Sequence, residues 1–477
     1  MRYITKTDLL VVARNSGMIM IGVGIMCLVP ILIDLIYLEL NFIGFILPAL
    51  LSIGLGLISI KGLDKYSHKK LRLKHGMIIS AIAWLWASII CGMVMVFVTN
   101  LGFIDGVFES MSALTGSGIT IYRDVEILPN SILFFRSLQQ WVGGLGVVVM
   151  IIGILTRPGT SSAKLYRSEA REERIKPSIK ATLEQTIKIY LIYTIAGIVL
   201  YLLAGMPVFD SVCTTFSIIS TGGMGIKNAN IGYYQNDIIY FITIILMILG
   251  ATSFLVHYKV IKTKGKSLIK DLQFKVMICL IAISTVIIFL TSKIVPIEIL
   301  FTVVSAVTTT GASVQNYDIM ATWPPFVIII LMVLMTIGGS SGSTVGAIKL
   351  MRVITFFKGT YKHMREIFSP EGRVVPLKIS GQKIPEKAVA QSGNYITLYM
   401  LCVLITWSLF CLYGHDPFKS LFDTMSIQGN VGLALGEIIF SLETPLKVIS
   451  IFNMWTGRLE IYPVLIAIRA AFEIFKR

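Results

Sequence analysis

Apolar residues fall in long runs, at about 17–38, 42–60, 77–98, 132–155, 185–205, 236–258, 273–292, 325–350, 391–413 and 446–472. Each approaches the ~20 apolar residues that cross the hydrocarbon of a bilayer, so the pattern predicts ten spanning helices. Shorter, half-polar segments lie between some of them, at 104–115, 208–219, 296–308 and 417–428. These are too short to span, and each runs into a Gly/Thr/Ser-rich stretch. A short helix followed by polar backbone between two spans reads as a re-entrant loop. Irregular backbone is tolerated at membrane depth only where it lines a cavity or is buried in protein.

The four segments repeat one another when a single glycine is superposed. They read FESMSALTGSG (Phe108–Gly118), CTTFSIISTGG (Cys213–Gly223), FTVVSAVTTTG (Phe301–Gly311) and FDTMSIQGNVG (Phe422–Gly432). A serine stands six residues before the last glycine in each: Ser112, Ser217, Ser305 and Ser426. Glu109 and Asp423 match in the first and fourth. One small-residue pattern is common at helix contacts; four in phase, each between two spans, mark an internal fourfold repeat. The fold class is therefore all-α and polytopic: four helix–loop–helix repeats in a pseudo-fourfold array, after two N-terminal helices. The expected units are 1–70 (two-helix extension), 71–184, 185–270, 271–390 (with a linker) and 391–477.

Composition agrees. Hydrophobic residues make up 55% and charged residues 14% of the 477, with mean hydropathy +0.80, against roughly a quarter charged in soluble domains. The net charge of +16 could suggest nucleic acid, but the basic residues cluster in the linkers 61–75, 157–184, 259–275 and 349–390. Lys61, Lys65, Lys69, Lys70 and Arg72 are examples, as are Lys259, Lys262, Lys264, Lys266 and Lys270. The loop side instead carries acids, among them Asp105, Asp124, Glu126, Asp210, Asp318 and Asp416, which could concentrate cations or simply be solvated. The positive-inside rule places the linkers and both termini in the cytoplasm, and no nucleic-acid partner is expected. The six cysteines form no CxxC pair and read as helix packing. The five histidines have no metal-ligand spacing, and no nucleophile–base pair or dinucleotide fingerprint is present, so no enzyme is expected.

A cation crossing lipid must exchange its water for protein oxygens, and rings of backbone carbonyls do this. Carbonyls turn toward an axis only with unusual φ/ψ, which glycine permits. Gly118, Gly223, Gly311 and Gly432 are thus expected around one axis, with Thr115, Gly116, Ser117, Ser220, Thr221, Gly222, Thr308, Thr309, Thr310, Gly429, Asn430 and Val431 beside them as the rest of a filter that holds the ion through backbone carbonyls. The short helices would aim negative C-terminal dipole ends at the ion. The stretch Gly338-Gly339-Ser340-Ser341-Gly342-Ser343-Thr344-Val345-Gly346 is rich in helix-weak residues and should break the span at 325–350. It does not match a phosphate-binding loop. Arg458 is a charge inside a span, which by default faces the bundle interior; Glu460, two residues on, points elsewhere on a straight helix.

Phe108–Gly118, Leu128-Pro129, Arg136-Ser-Leu-Gln-Gln-Trp141, Gly143-Gly144-Leu-Gly146 and Gly457-Arg458-Leu459-Glu460 resemble the Trk/Ktr/HKT superfamily of potassium transporters. The two extra N-terminal helices resemble its TrkH branch, and the resemblance covers nearly the whole chain. It implies K⁺ as the transported ion, four M1–pore loop–M2 units, a homodimer, and a location in the bacterial cytoplasmic (inner) membrane. It also implies a TrkA-type cytoplasmic ring, through which alone nucleotide, NAD(H) or ATP/ADP, would act. By the same resemblance Gly338–Gly346 is an intramembrane gate and Arg458 a charge beneath the filter that restrains flux. The first loop, Thr115-Gly116-Ser117-Gly118, departs from the family's usual Thr-Thr-Thr-Gly, and Gly429-Asn430-Val431-Gly432 differs from the other three. A Na⁺-permeable pore or a Na⁺-coupled symporter of the same fold is thus the alternative. A secondary transporter with midplane sites would show inverted repeats and midplane acids; these repeats run in one direction and such acids are scarce.

Overall fold

The computed structural model describes residues 5–67, 69, 71–146, 179–263, 265–370 and 376–475. The end of the run at 132–155 and most of the linker 157–184 lie outside the described residues, as do Lys70, Lys264 and the two ends of the chain. Apart from a two-stranded ribbon pairing Lys378–Ile379 with Gln382–Lys383, the described elements are helices.

The ten apolar runs divide into two kinds. Among the described residues six helices are long and apolar enough to cross a membrane: Lys6–Ile36, Phe42–Gly62, Leu73–Thr99, Thr182–Leu203, Leu272–Thr291 and Glu386–Leu412. They are the two N-terminal helices and the first helix of each repeat. The second helix of each repeat stops part-way. Asn130–Leu145 ends at Gly146, and Asp237–Gly250 turns by 104° into Phe254–Thr263. Pro325–Ile337 is followed by twelve non-helical residues before Leu350–Ile367, and Thr444–Arg458 breaks before Tyr462–Phe475. These first halves hold 13 to 16 residues, roughly 20–24 Å of helix, short of the ~30 Å of hydrocarbon. The Gly338–Gly346 break agrees with the sequence expectation. The breaks at Ala251–Ser253 and Leu459–Ile461 do not; they interrupt runs read as continuous.

The four short helices are Phe103–Thr115, Val208–Ile219, Pro296–Val307 and Pro417–Gly429, within a residue or so of the segments read from sequence. Proline opens three of them, at the N-cap (Pro207) or the first turn (Pro296, Pro417), where its missing N–H leaves no helix bond unmade. Asp416 caps the fourth by accepting from Phe418 N and Lys419 N at 3.0 and 2.8 Å. Their aligned first positions, Phe108, Cys213, Phe301 and Phe422, are fully buried, so the short helices form the molecule's centre. The long helices surround them with apolar side chains turned outward, such as Ile195, Val199 and Leu203 or Leu401, Leu404 and Leu412. Lipid is the solvent such a surface fits. The two-helix extension is tied to the first repeat by Glu39, whose carboxylate accepts from Ser131 N and Oγ at 3.0 and 2.6 Å, capping the start of Asn130–Leu145.

Candidate functional site

Each short helix ends in a loop with the same backbone signature. The residue two before the aligned glycine and the glycine itself both have positive φ: Gly116 and Gly118 (75°, 70°), Thr221 and Gly223 (53°, 68°), Thr309 and Gly311 (50°, 73°), Asn430 and Gly432 (51°, 112°). A β-branched residue such as Thr221 or Thr309 rarely adopts this region, and such strain persists only where the surroundings impose it. The loops close a ring in chain order. A Cβ on Gly118 would collide with Gly222 O, one on Gly223 with Thr310 O, and one on Gly311 with Val431 O; one on Gly432 would lie 2.7 Å from Ser117 O. Each glycine therefore meets the carbonyl preceding the aligned glycine of the next repeat, and the fourth returns to the first. The departures in the first and fourth sequences leave this backbone pattern intact.

Hydrogen bonds hold the loops in matching ways. Ser117 N, Gly222 N, Thr310 N and Val431 N donate to Ser112 O, Ser217 O, Ser305 O and Ser426 O at 2.9–3.0 Å. The aligned serine hydroxyls of the first three repeats then donate to the carbonyl just after the glycine, Ile119 O, Met224 O and Ala312 O, at 2.6, 2.9 and 2.7 Å. Ser426 Oγ instead accepts from Gly432 N at 3.0 Å. Thr115 Oγ1 pairs with Ser117 Oγ at 3.0 Å, and Thr308 Oγ1 with Thr310 Oγ1 at 2.8 Å. Asn430 Nδ2 donates to Ser117 Oγ and to Met454 O, both at 2.9 Å, stitching the fourth loop to the first.

The acids matched between repeats one and four have structural work. Glu109 is fully buried and accepts from Arg136 Nε at 2.8 Å, Thr120 Oγ1 at 2.9 Å and Ile121 N at 3.1 Å. Asp423, also fully buried, accepts from Leu435, Glu437 and Ile438 N at 2.6, 2.9 and 3.2 Å. Both pin the segment leaving the ring, so neither is the free cation attractor that loop-side acids could have been. Asp105 pairs with Lys447 at 2.7 Å, and Asp210 accepts from Tyr234 Oη at 2.8 Å. Asp124, half-buried, is held below the usual carboxylate range by hydrogen bonds from Asn228 and from Glu126 N. Two supporting residues carried no such role in the sequence reading. Arg136 donates to Gly225 O at 3.1 Å, and Gln140 Nε2 donates to Gly222 O at 2.7 Å. A cavity of about 530 Å³ opens onto the ring, lined by Gly118, Gly311 and Gly432 with Asn228, Gln315 and Asp318 among its polar residues.

Below the ring the described ends of the four second helices' first halves converge. Gly346 N donates to Thr309 Oγ1 at 3.0 Å and Ala347 N to Gly429 O at 2.9 Å. Thr221 Oγ1 donates to Thr344 Oγ1 at 3.0 Å, and Thr344 Oγ1 to Gly250 O at 3.0 Å. The stretch Gly338–Ala347 thus bonds loop residues of three repeats. It also joins the second repeat's break, through Ser340 N to Ala251 O at 3.0 Å and Phe254 N to Gly342 O at 3.1 Å. Gly338 and Gly342 have φ of 72° and 75°, Ser341 N donates to Gln273 Oε1 at 2.8 Å, and Ser343 Oγ to Ser340 O at 2.6 Å. Arg458 closes the set: it donates to Thr344 O at 2.7 Å and to Gly143 O and Gly144 O at 2.6 and 3.2 Å. Glu460 follows the helix end at φ 60° and pairs with Lys349 Nζ at 2.7 Å and with Arg352. Its partners thus lie on the helix Leu350–Ile367 and the residue before it, and the helix Thr444–Arg458 has ended before Glu460 is reached. Glycines of three second helices pack on the short-helix ends: a Cβ on Gly143, Gly250 or Gly457 would meet Leu114 O, Ile219 O or Gln428 O. Each of those carbonyls lies four residues before the ring glycine, a register that sequence alone did not reveal.

The chain matches the family model described as TrkH: Cation transport protein, over residues 48–302 and 295–474. It is 37% identical to an uncharacterized cation transporter of Methanocaldococcus jannaschii, over 97% of this chain and 96% of that one. It is 30% identical to the Trk system potassium uptake protein TrkG of Escherichia coli, over 96% and 97%. The crystal structure of the potassium transporter TrkH from Vibrio parahaemolyticus superposes with a TM-score of 0.84 at 26% identity, covering 97% of this chain and 99% of that one. With six long apolar helices among its described residues, set around a closed ring of four loops, this chain belongs to the TrkH family of multi-pass membrane cation transport proteins.

Proposed function

We propose that this chain is a K⁺ uptake pore whose filter is the ring of four loops, and that Gly338–Gly346 with Arg458 is its gate. The observation that carries the reading is the ring itself: four left-handed glycines, each against the preceding-position carbonyl of the next repeat. Such a ring offers backbone oxygens to a bare cation, and K⁺ is the ion named for relatives that match nearly the whole chain. Thr115–Gly118, Ser220–Gly223, Thr308–Gly311 and Gly429–Gly432 supply the filter carbonyls, one set per repeat unit. The four short helices add the negative ends of their dipoles.

Beneath the filter, Arg458 puts a positive charge in the ion's path and fastens the Gly338–Gly346 segment across it. Opening requires these bonds to be exchanged, which suits control by a partner on the linker side. That side is cytoplasmic by its Lys and Arg content, so the loops face outward and both termini inward. The partner proposed is a TrkA-type ring carrying the nucleotide, the assembly a homodimer, and the location the cytoplasmic (inner) membrane. The function is transport, with no catalysis of a covalent step. A Na⁺-permeable or Na⁺-coupled symport reading rests on the Asn430-Val431 and Gly116-Ser117 substitutions, which change filter side chains while keeping the backbone.

The experiment is growth of a bacterium lacking its own K⁺ uptake systems on limiting K⁺, with the regulatory ring co-expressed. The chain restores growth. No growth despite full expression in the membrane contradicts the K⁺ assignment.

A further inference from the structure

On the loop side, one imidazole joins three elements of the fourth repeat. His415 follows the long helix Glu386–Leu412 and precedes the short helix Pro417–Gly429. Its Nδ1 lies 2.7 Å from a Glu437 carboxylate oxygen, and its Nε2 lies 3.0 Å from one of Glu443. A neutral imidazole carries a single N–H, so it can donate to one of these carboxylates but not to both; only the imidazolium donates to both. Partial burial works against that charge, but hydrogen bonds to Glu443 and Glu437 outweigh it, and the His415 pKa is raised above its ordinary 6.5. The Glu443 carboxyl is correspondingly held down by His415. These two are the charged groups that act on the ring. Of the other charged neighbours, Asp416 is turned to cap the short helix, and Lys447 of the helix Thr444–Arg458 to Asp105 and Phe440 O.

Glu437 sits in the segment that leaves Gly432. Inside, Asp423 accepts from Leu435, Glu437 and Ile438 N; outside, the Glu437 side chain is held by His415. Gly432, Gly436 and Ile438 of this segment line the cavity above the ring. Glu443 is the N-cap residue of the helix Thr444–Arg458, which carries Arg458 at its far end. The side chains of His415, Glu437 and Glu443 are 18%, 14% and 43% exposed, so protons reach the site from the loop side.

We infer that His415, Glu437 and Glu443 form a proton-binding clamp on the outer wall of the vestibule. Bound proton ties the segment after the fourth loop to the helix Thr444–Arg458 and keeps the wall in filter-competent shape. The inference rests on the proposed reading of the ring as a K⁺ filter and of the loop side as outer. The sign follows from a raised folded pKa: the clamp is fully made below the histidine's unfolded pKa and is lost as external pH rises through the folded one.

The test is Rb⁺ uptake into proteoliposomes at fixed internal pH, with Na⁺ as competitor, while external pH is stepped from about 6 to about 9. Wild type is expected to lose Rb⁺-over-Na⁺ preference by about five-fold across the step, the lower end of typical coupling between sites. His415→Gln and Glu437→Gln should show no such step; Asp124→Asn, outside the clamp, should keep it. An unchanged step in His415→Gln, or a flat wild type that conducts, overturns the clamp. Thermal unfolding over the same pH range reads the clamp without transport: wild type should lose stability relative to His415→Gln as pH rises. Parallel curves overturn the clamp; absence of Rb⁺ flux with diverging curves overturns the pore reading alone.

Discussion

Replacing Gly311 or Gly223 with alanine should abolish selective conduction while leaving the protein in the membrane. At Gly311 the new Cβ would overlap Val431 O and lie 2.6 Å from Gly432 Cα; at Gly223 it would overlap Thr310 O and lie 2.6 Å from Ala312 N. These neighbours are backbone of the next repeat, held from behind by Ser426 and Ser305, so they cannot swing aside as a flexible side chain would. The φ values of 73° and 68° add the left-handed penalty of a non-glycine residue, about 1–2 kcal/mol. Forced overpacking adds about 1–3 kcal/mol. Relief comes by displacing a carbonyl from the ring, and about 1.4 kcal/mol of altered ion binding is already ten-fold in preference. Preference for K⁺ over Na⁺ should therefore fall about ten-fold or more, read as Rb⁺ uptake under Na⁺ competition. Gly54→Ala, which has nothing within 4 Å of the added Cβ, is the control and should behave as wild type. Unchanged preference in both ring variants would remove Gly223 and Gly311 from the filter.

Arg458→Ala should act in the opposite direction, raising flux in the absence of any regulatory partner. The guanidinium bonds Thr344 O of the third repeat's break and Gly143 O and Gly144 O of the first repeat's second helix. Hydrogen bonds from a charged donor contribute about 1.5–3 kcal/mol each, so losing three of them frees the segment and removes a positive charge from the pore together. A rise of about ten-fold or more in Rb⁺ uptake is expected, ten-fold being only ~1.4 kcal/mol. Arg458→Lys should fall between, because a single ammonium cannot span acceptors on two elements as the planar guanidinium does. Reduced flux from correctly folded Arg458→Ala would make Arg458 a support of conduction instead of a restraint.

The parts of this fold that are legible in sequence are those written in local chemistry. Runs of apolar residues give the spans, and the in-phase Ser…Gly spacing gives the four loops, because each loop needs the same serine carbonyl contact and the same glycine backbone. The Gly338–Gly346 break is visible because glycine and serine are poor helix formers. The break at Leu459–Ile461 is hidden: Leu459 and Ile461 look like any apolar helix residues, and it is the pairing of Glu460 with Lys349 and Arg352, distant in sequence, that goes with left-handed backbone there. Gln140 and Arg136 likewise sit within an ordinary helix, and their reach to Gly222 O and Gly225 O exists only after the second repeat is placed beside the first. Glu109 and Asp423 were matched by sequence, but whether a matched acid faces solvent or a buried donor is a tertiary fact.

A K⁺ pore formed by four loops of one chain can be measured as Rb⁺ uptake into liposomes containing the purified protein and its regulatory ring, with K⁺ or Na⁺ added as competitor. Uptake down the Rb⁺ gradient should be rapid, and K⁺ should suppress it at far lower concentration than Na⁺. Suppression by Na⁺ and K⁺ at equal concentrations would mean that the four loops do not form a K⁺-selective pore.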